Sequence, residues 1–213
     1  MPEDRTAGPD TLVSGGRLRM PLLYAVRCRF TGDAGAEAEW DRWYLGHLRV
    51  LIGVPGFLSA QRFRTSDSPD QRPNLALYSV ESDRVFTSPE YLAVWGFSAW
   101  RPSIDRWTRD LLEPVRPDLG FATADGELLR AAFFSDGPEP AAGILGRLLA
   151  RRPGAKGAVS AGLDRSCAAV AWETAPAPQV QEPFPEPPGA SVAQALYRPL
   201  TPCLGAAGLR APG

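Results

Sequence analysis

The chain has 213 residues, 44% hydrophobic and 22% charged, with a formal net charge of −1. That length supports one large domain or two small ones with a real core, and scattered arginines in a near-neutral balance give no field for nucleic acid or an anionic membrane. No apolar run reaches membrane-spanning length and no apolar signal region opens the sequence, so the expected compartment is cytoplasmic. Cys28, Cys167 and Cys203 are odd in number and far apart, which indicates neither a disulfide framework nor a zinc motif.

In chain order, residues 1–19 are polar, glycine-rich and without periodicity, and are expected to be a disordered arm. Leu22 to Phe30 alternates as a strand, with Leu22, Tyr24, Val26, Cys28 and Phe30 on one face and Ala25, Arg27 and Arg29 on the other. After a turn in which Asp33 can cap a helix, Trp40, Trp43, Tyr44, His47, Val50 and Leu51 recur at spacings of three and four, placing them on one helical face. Val54-Pro55-Gly56 stops that helix, since proline disfavours helical geometry before it and glycine allows the turn after it. Phe57 to Arg64 and Asn74 to Val80 read as strands around a polar loop. Thr87-Ser88-Pro89-Glu90 has the chemistry of a helix start: a hydroxyl cap, a proline in the first turn and an acid near the positive end of the helix dipole. The helix carries Tyr91, Leu92 and Trp95 up to Gly96; another turn is expected over Arg101 to Arg109 and a strand over Leu111 to Val115.

The order strand, helix, strand, strand, helix, strand is the ferredoxin-like pattern, with both helices on one face of an antiparallel sheet. The remainder repeats it less clearly: strands over Glu127 to Ser135, Ala158 to Leu163, Ala168 to Glu173 and Val192 to Leu200, with a helix over Pro138 to Arg152. A second helix belongs in Thr174 to Gly189, but the prolines there shorten or remove it. The expected organisation is an α+β chain with a first ferredoxin-like βαββαβ unit over 20–118, a second, degenerate one over 125–203 and a flexible tail over 204–213.

The run Trp40-Asp41-Arg42-Trp43-Tyr44-x-x-His47-Leu48, followed by Val54-Pro55-Gly56-Phe57 and Arg62, resembles the dimeric α/β-barrel superfamily, and within it the EthD-like proteins. The Leu77-Tyr78 strand and the Thr87-Ser88-Pro89-Glu90-Tyr91 helix start are also similar to those relatives, so the likeness extends over about residues 20 to 116. The resemblance implies two ferredoxin-like units facing each other sheet to sheet, here as a tandem repeat closing an intramolecular dimeric α/β barrel. The second half departs from the pattern, because its helix has only apolar residues where the first has Tyr-x-x-His. Any pocket is then asymmetric, equipped by the first half and completed by the second.

His47 is the chain's only histidine. A near-neutral imidazole suits a general base beside an enolisable or phenolic substrate, with Tyr44 assisting. The alternative is a structural histidine bonded to a carbonyl, and no carboxylate lies at helical spacing to orient it. Trp40 and Trp43 either wall an aromatic-substrate pocket or are core, and Tyr24 and Tyr78 either point into the barrel or pack. Arg27 and Arg62, if they face the barrel, are candidates to bind a carboxylate or enolate; Arg29 and Arg64 are expected at solvent. Cys28 reads as an inert buried thiol, and there is no phosphate loop, dinucleotide fingerprint or metal-ligand cluster.

These readings converge on a barrel binding a small aromatic or polyketide-like ligand, with no cofactor, metal, nucleic acid or membrane partner and with a homodimer as a further assembly to test. If it is an enzyme, the expected chemistry is cofactor-independent proton transfer of cyclase, isomerase or oxygenase type. The alternatives are a non-catalytic carrier or scaffold barrel and a haem or flavin oxygenase, which an absorption spectrum distinguishes.

Overall fold

The computed structural model describes residues 20–135, 140–176, 182–186 and 191–205. The predicted arm over 1–19 lies outside them, as does most of the predicted tail. The first half contains β1 (Leu22–Phe30), α1 (Ala34–Ile52), β2 (Phe57–Arg64), β3 (Asn74–Val80), a single-turn α2 (Pro89–Leu92) between two 3-10 turns, and β4 (Ile104–Pro114). The second contains β5 (Glu127–Phe134), α3 (Ala141–Arg151), β6 (Lys156–Leu163), β7 (Ala169–Pro176), β8 (Val192–Pro199) and the two-residue β9 (Leu204–Gly205). All strand pairs are antiparallel. The order β3-β1-β4-β6-β7-β5-β8-β2 closes through a further β2–β3 pairing, giving an eight-stranded barrel. Closure leaves no long free edge.

Two seams join the halves. β4 runs against β6 from Asp110↔Leu163 to Pro114↔Ala158, and β2 meets β8 at Phe63↔Pro199 and Arg64↔Arg198. All eight strands send apolar side chains inward: Leu23, Ala25, Phe63, Leu75, Leu77, Leu112, Leu129, Ala131, Phe133, Ala158, Val170, Trp172, Ala195 and Tyr197 form one buried cluster. The Trp172 indole donates to the Leu119 carbonyl at 2.8 Å. Fully buried Gln61 takes and gives hydrogen bonds at Thr123 and Thr201. Among the described residues, these packed side chains occupy the space between the two sheets where a cavity was expected.

The helices cover the outside. Asp33 accepts from the Ala36 N–H at 2.8 Å to cap α1, and Glu37 occupies its first turn. Gly56 turns the chain toward β2 at φ +94°, where a side chain is strained. The buried stripe of α1 is Trp40, Tyr44, Leu48, Leu51 and Ile52. Val50, expected inward, is 49% exposed, because the stripe follows the i, i+4 row and leaves position 50 on its far side. In the second half Ile144, Leu145, Leu148 and Leu149 of α3 pack on Ala132, Phe134, Ala169 and Ala171. The helix expected after β7 falls partly outside the described residues; over 182–186 the chain is not helical, and buried Phe184 packs into the α3 cluster.

Two further expectations change. The turn predicted over Arg101 to Arg109 is mostly strand, since β4 begins at Ile104 and pairs with β1 from Phe30 inward. The tail predicted from residue 204 begins as β9, paired with Ser59 and Ala60.

Candidate functional site

Alternation along β1 and β3 separates two buried faces. Tyr24, Val26, Cys28, Ala76, Tyr78 and Val80 belong to the cluster under α1, whereas Leu23, Ala25, Leu75 and Leu77 belong to the barrel interior. Tyr24 and Tyr78, directly opposed in the β1–β3 register, thus point out toward the helix and not into the barrel. Their rings lie 5.2 Å apart. On this outer face, under α1 and the 83–103 segment, is a cavity of about 20 Å³ lined by Tyr24, Tyr44, His47, Tyr78, Tyr91, Trp95, Phe97 and Trp107 among others. That volume is room for about one water molecule.

His47 projects from α1 to this cavity. Its ring stacks on Trp43 at 4.8 Å between centroids, nearly parallel, and meets Tyr44 edge-on at 6.0 Å. Among the described residues its side-chain contacts are these ring contacts, with no hydrogen bond from either nitrogen. Desolvation lowers its pKa to about 4, which holds the imidazole neutral near pH 7.

Phenols surround it. The Tyr24 and Tyr91 hydroxyls are 3.4 Å apart. Burial raises the pKa values of Tyr24, Tyr44 and Tyr78, and further contributions to the rise come from Tyr91 at Tyr24 and from Tyr44 at Tyr78. All three therefore stay protonated and keep a proton to donate. A water molecule in that cavity would lie between phenolic donors and one neutral imidazole.

The other predicted residues sit elsewhere. Trp40 is fully buried behind Tyr44, stacked on Phe30 at 4.9 Å, and forms core. Trp43 supports the His47 ring without lining the cavity. Arg62 faces α1 and not the barrel: it pairs with Asp41 at 2.7 Å and lies over the Trp40 and Tyr44 rings at 4.2 and 4.5 Å. Arg64, expected at solvent, is drawn to the same Asp41 at 2.6 Å. Arg27 does face the interior, but both its terminal nitrogens are engaged, while its buried Nε–H has no partner among the described residues. Asp70 takes Nη1 at 2.7 Å, Ser166 takes Nη2 at 2.9 Å, and the Phe133 ring lies 3.8 Å away. Arg29 pairs with Asp105 at the half-exposed sheet margin. Cys28 is buried, its thiol pushed up to about 12 by desolvation. Among the described residues no three His, Cys, Asp or Glu side chains converge as a metal site.

Tyr91, Trp95, Phe97 and Trp107 complete the lining, with Arg109 behind two of these rings, and none of the five was among the sequence candidates. Arg109 lies on the outer face opposite Val26, with its guanidinium 5.0 Å from the Trp95 ring and 5.2 Å from the Trp107 ring. Its Nη2 pairs with Asp164 at 3.5 Å. Extending the alternation Leu111, Arg109, Trp107 upstream would have found the last two.

No protein-family model matches the chain, and no curated protein matches it in sequence. Solved structures do match in shape. An anthrone oxidase-like protein superposes with a TM-score of 0.53 at 10% identity, over 88% of this chain and 94% of that one. A putative monooxygenase from Lactobacillus acidophilus NCFM gives 0.51 at 10% identity, over 88% and 97%. A putative chlorite dismutase gives 0.50 at 12% identity, over 87% and 96%. The shared feature is the fold, an eight-stranded antiparallel barrel with helices outside, consistent with a dimeric α/β barrel. At these identities the likeness of one α/β barrel to another carries architecture and no activity. No helix among the described residues is long and apolar enough to cross a membrane.

Proposed function

We propose that this chain is a tandem pair of ferredoxin-like units, 20–118 and a degenerate 125–203, that binds a small aromatic ligand and transfers protons on it without a cofactor. Support for the tandem reading comes from strand order, since β2-β3-β1-β4 is repeated as β6-β7-β5-β8 with a helix after the first strand of each half. The EthD-like kinship and the cytoplasmic location belong to the same proposal. Only the first half carries hydroxyls and an imidazole under its helix; α3 covers its sheet with aliphatic residues.

The observation that carries the reading is positional: His47 lies without a hydrogen-bond partner among the described residues at a cavity walled by tyrosine hydroxyls, where its basicity, lowered by burial, would have to be raised by the bound enolate. An enolisable aromatic ketone placed there would lose the proton on the carbon next to its carbonyl to the imidazole. The electron pair would move to the carbonyl oxygen, where phenolic O–H groups, Tyr44 among them, would donate hydrogen bonds to the enolate. Structural neighbours described as anthrone oxidase-like and as a monooxygenase make an aromatic ketone the first substrate to try. Ring entry requires the cover of short turns between Asp83 and Ser103 to move outward.

The second reading is a non-catalytic barrel, favoured by the packed interior and by a cavity of only about 20 Å³. Anthrone in aerated buffer separates the two, because loss of its benzylic proton leads with O2 to anthraquinone and water, seen by absorbance and oxygen uptake. Under the first reading the chain exceeds the buffer rate and His47→Gln lowers turnover by about 10²-fold or more. An unchanged rate in His47→Gln excludes the proton-transfer role, and no turnover by the native chain leaves the non-catalytic barrel.

A further inference from the structure

We infer that Arg109 makes this cavity select an anionic oxygen, so that its ligands are acidic phenols and enols taken up as phenolate or enolate. This rests on the ligand-binding reading above but not on catalysis by His47.

The groups around the cavity supply hydrogen-bond donors in excess. Tyr24 and Tyr91 share one contact between their hydroxyls, so one O–H proton of the pair is free to donate. Trp107 lines the cavity, and its indole N–H is buried without a partner among the described residues. The Nε–H of Arg109 is likewise buried and unpartnered. A buried donor without an acceptor is costly, and an oxyanion is the acceptor that relieves several at once.

Charge points the same way. Among the described residues no carboxylate lines the cavity. Arg109 brings its charge against the two indoles, 5.0 Å from the Trp95 ring and 5.2 Å from the Trp107 ring, and Arg101 lies 5.4 Å from the Trp107 ring. The one acid at Arg109 is Asp164, whose Oδ1 is 3.5 Å from Nη2 while Oδ2 accepts the Arg109 backbone N–H at 2.8 Å. That pair is long and lies at the solvent side, so it cancels little of the field on the cavity side. Arg27 lies on the barrel-interior face and Arg62 pairs with Asp41, each also keeping an Nε–H unpartnered among the described residues; Arg109 takes the oxyanion role at this cavity as a positioning residue acting through Trp95 and Trp107.

The test uses p-nitrophenol, whose two protonation states absorb differently and are both populated near neutral pH. It has no carbon acid, so binding is read without turnover, and this selectivity and the proton-transfer reading can each fail alone. The native chain is expected to bind phenolate at least tenfold tighter than phenol, which lowers the pKa of the bound probe by about one unit. Arg109→Met should abolish the preference and Arg109→Lys should restore most of it. Asp164→Asn keeps an acceptor for the backbone N–H and removes the outer charge, so it should strengthen the preference; this arm stands even if Arg109→Met does not fold. The inference is overturned if the native chain fails to bind the probe or binds the phenol as well as the phenolate. It is equally overturned if folded Arg109→Met keeps the preference, or if Asp164→Asn weakens it.

Discussion

His47→Gln should change how stability depends on pH, and the size follows from the site. In the folded chain the imidazole titrates at about 4, because water is withdrawn from it and nothing replaces the lost hydration. In the unfolded chain it returns to its ordinary value near 6.5. Between those values the unfolded state binds the extra proton, so native stability rises with pH there. The contribution is fully present above pH 6.5 and is lost as pH falls toward 4. From pH 7 to pH 5 the shift corresponds to about 2 kcal/mol, a ceiling because the ring is partly exposed. Glutamine does not titrate, so urea unfolding of both proteins at pH 5, 6 and 7 isolates the effect from the carboxylates they share. The native protein should lose about 1–2 kcal/mol more than the variant on going from pH 7 to pH 5. A difference that stays constant over that interval would mean that the ring is solvated or ion-paired, and the base proposed here would be in the wrong environment.

Two further outcomes concern the scaffold under the site. Asp41→Asn removes the carboxylate shared by Arg62 and Arg64 while Arg62 stays 1% exposed, so it should cost about 2–4 kcal/mol in urea unfolding. Arg62→Met should cost less, since it takes away the buried charge itself. Gly56→Ala sets a side chain at φ +94° and 3.3 Å from Val85, and should lower stability by about 1–2 kcal/mol, read as a fall in thermal midpoint.

Where side-chain period and turn chemistry agreed, the sequence could be read closely. β1, β2 and β3 begin and end at the expected residues, bounded by a Gly-Asp turn, Val54-Pro55-Gly56 and a polar loop. Which face of each strand looks inward was not legible. Both faces of β1 are apolar, because one meets the barrel and the other meets α1, so alternation separated Tyr24 from Ala25 without saying which lay inside. A histidine on the helix and tyrosines on the strands were enough to nominate a site, but it opened on the opposite side of the sheet from the one expected. β4 hid its first half for another reason: Pro102 and a charged, aromatic run obscured a strand whose outer face carries Trp107 and Arg109. Without that strand, no sequence argument could reach the arginine that lies against Trp95 and Trp107.

The central claim is positional: ligand binds between α1 and the outer face of the first-half sheet, not inside the barrel. The chain has six tryptophans, and 5-fluorotryptophan labelling gives each a 19F resonance assignable by single Trp→Phe variants. Addition of p-nitrophenol should shift the Trp95 and Trp107 signals, which line the cavity, and leave Trp172 in the barrel interior unmoved. A shift at Trp172 with Trp95 and Trp107 unchanged would contradict the account.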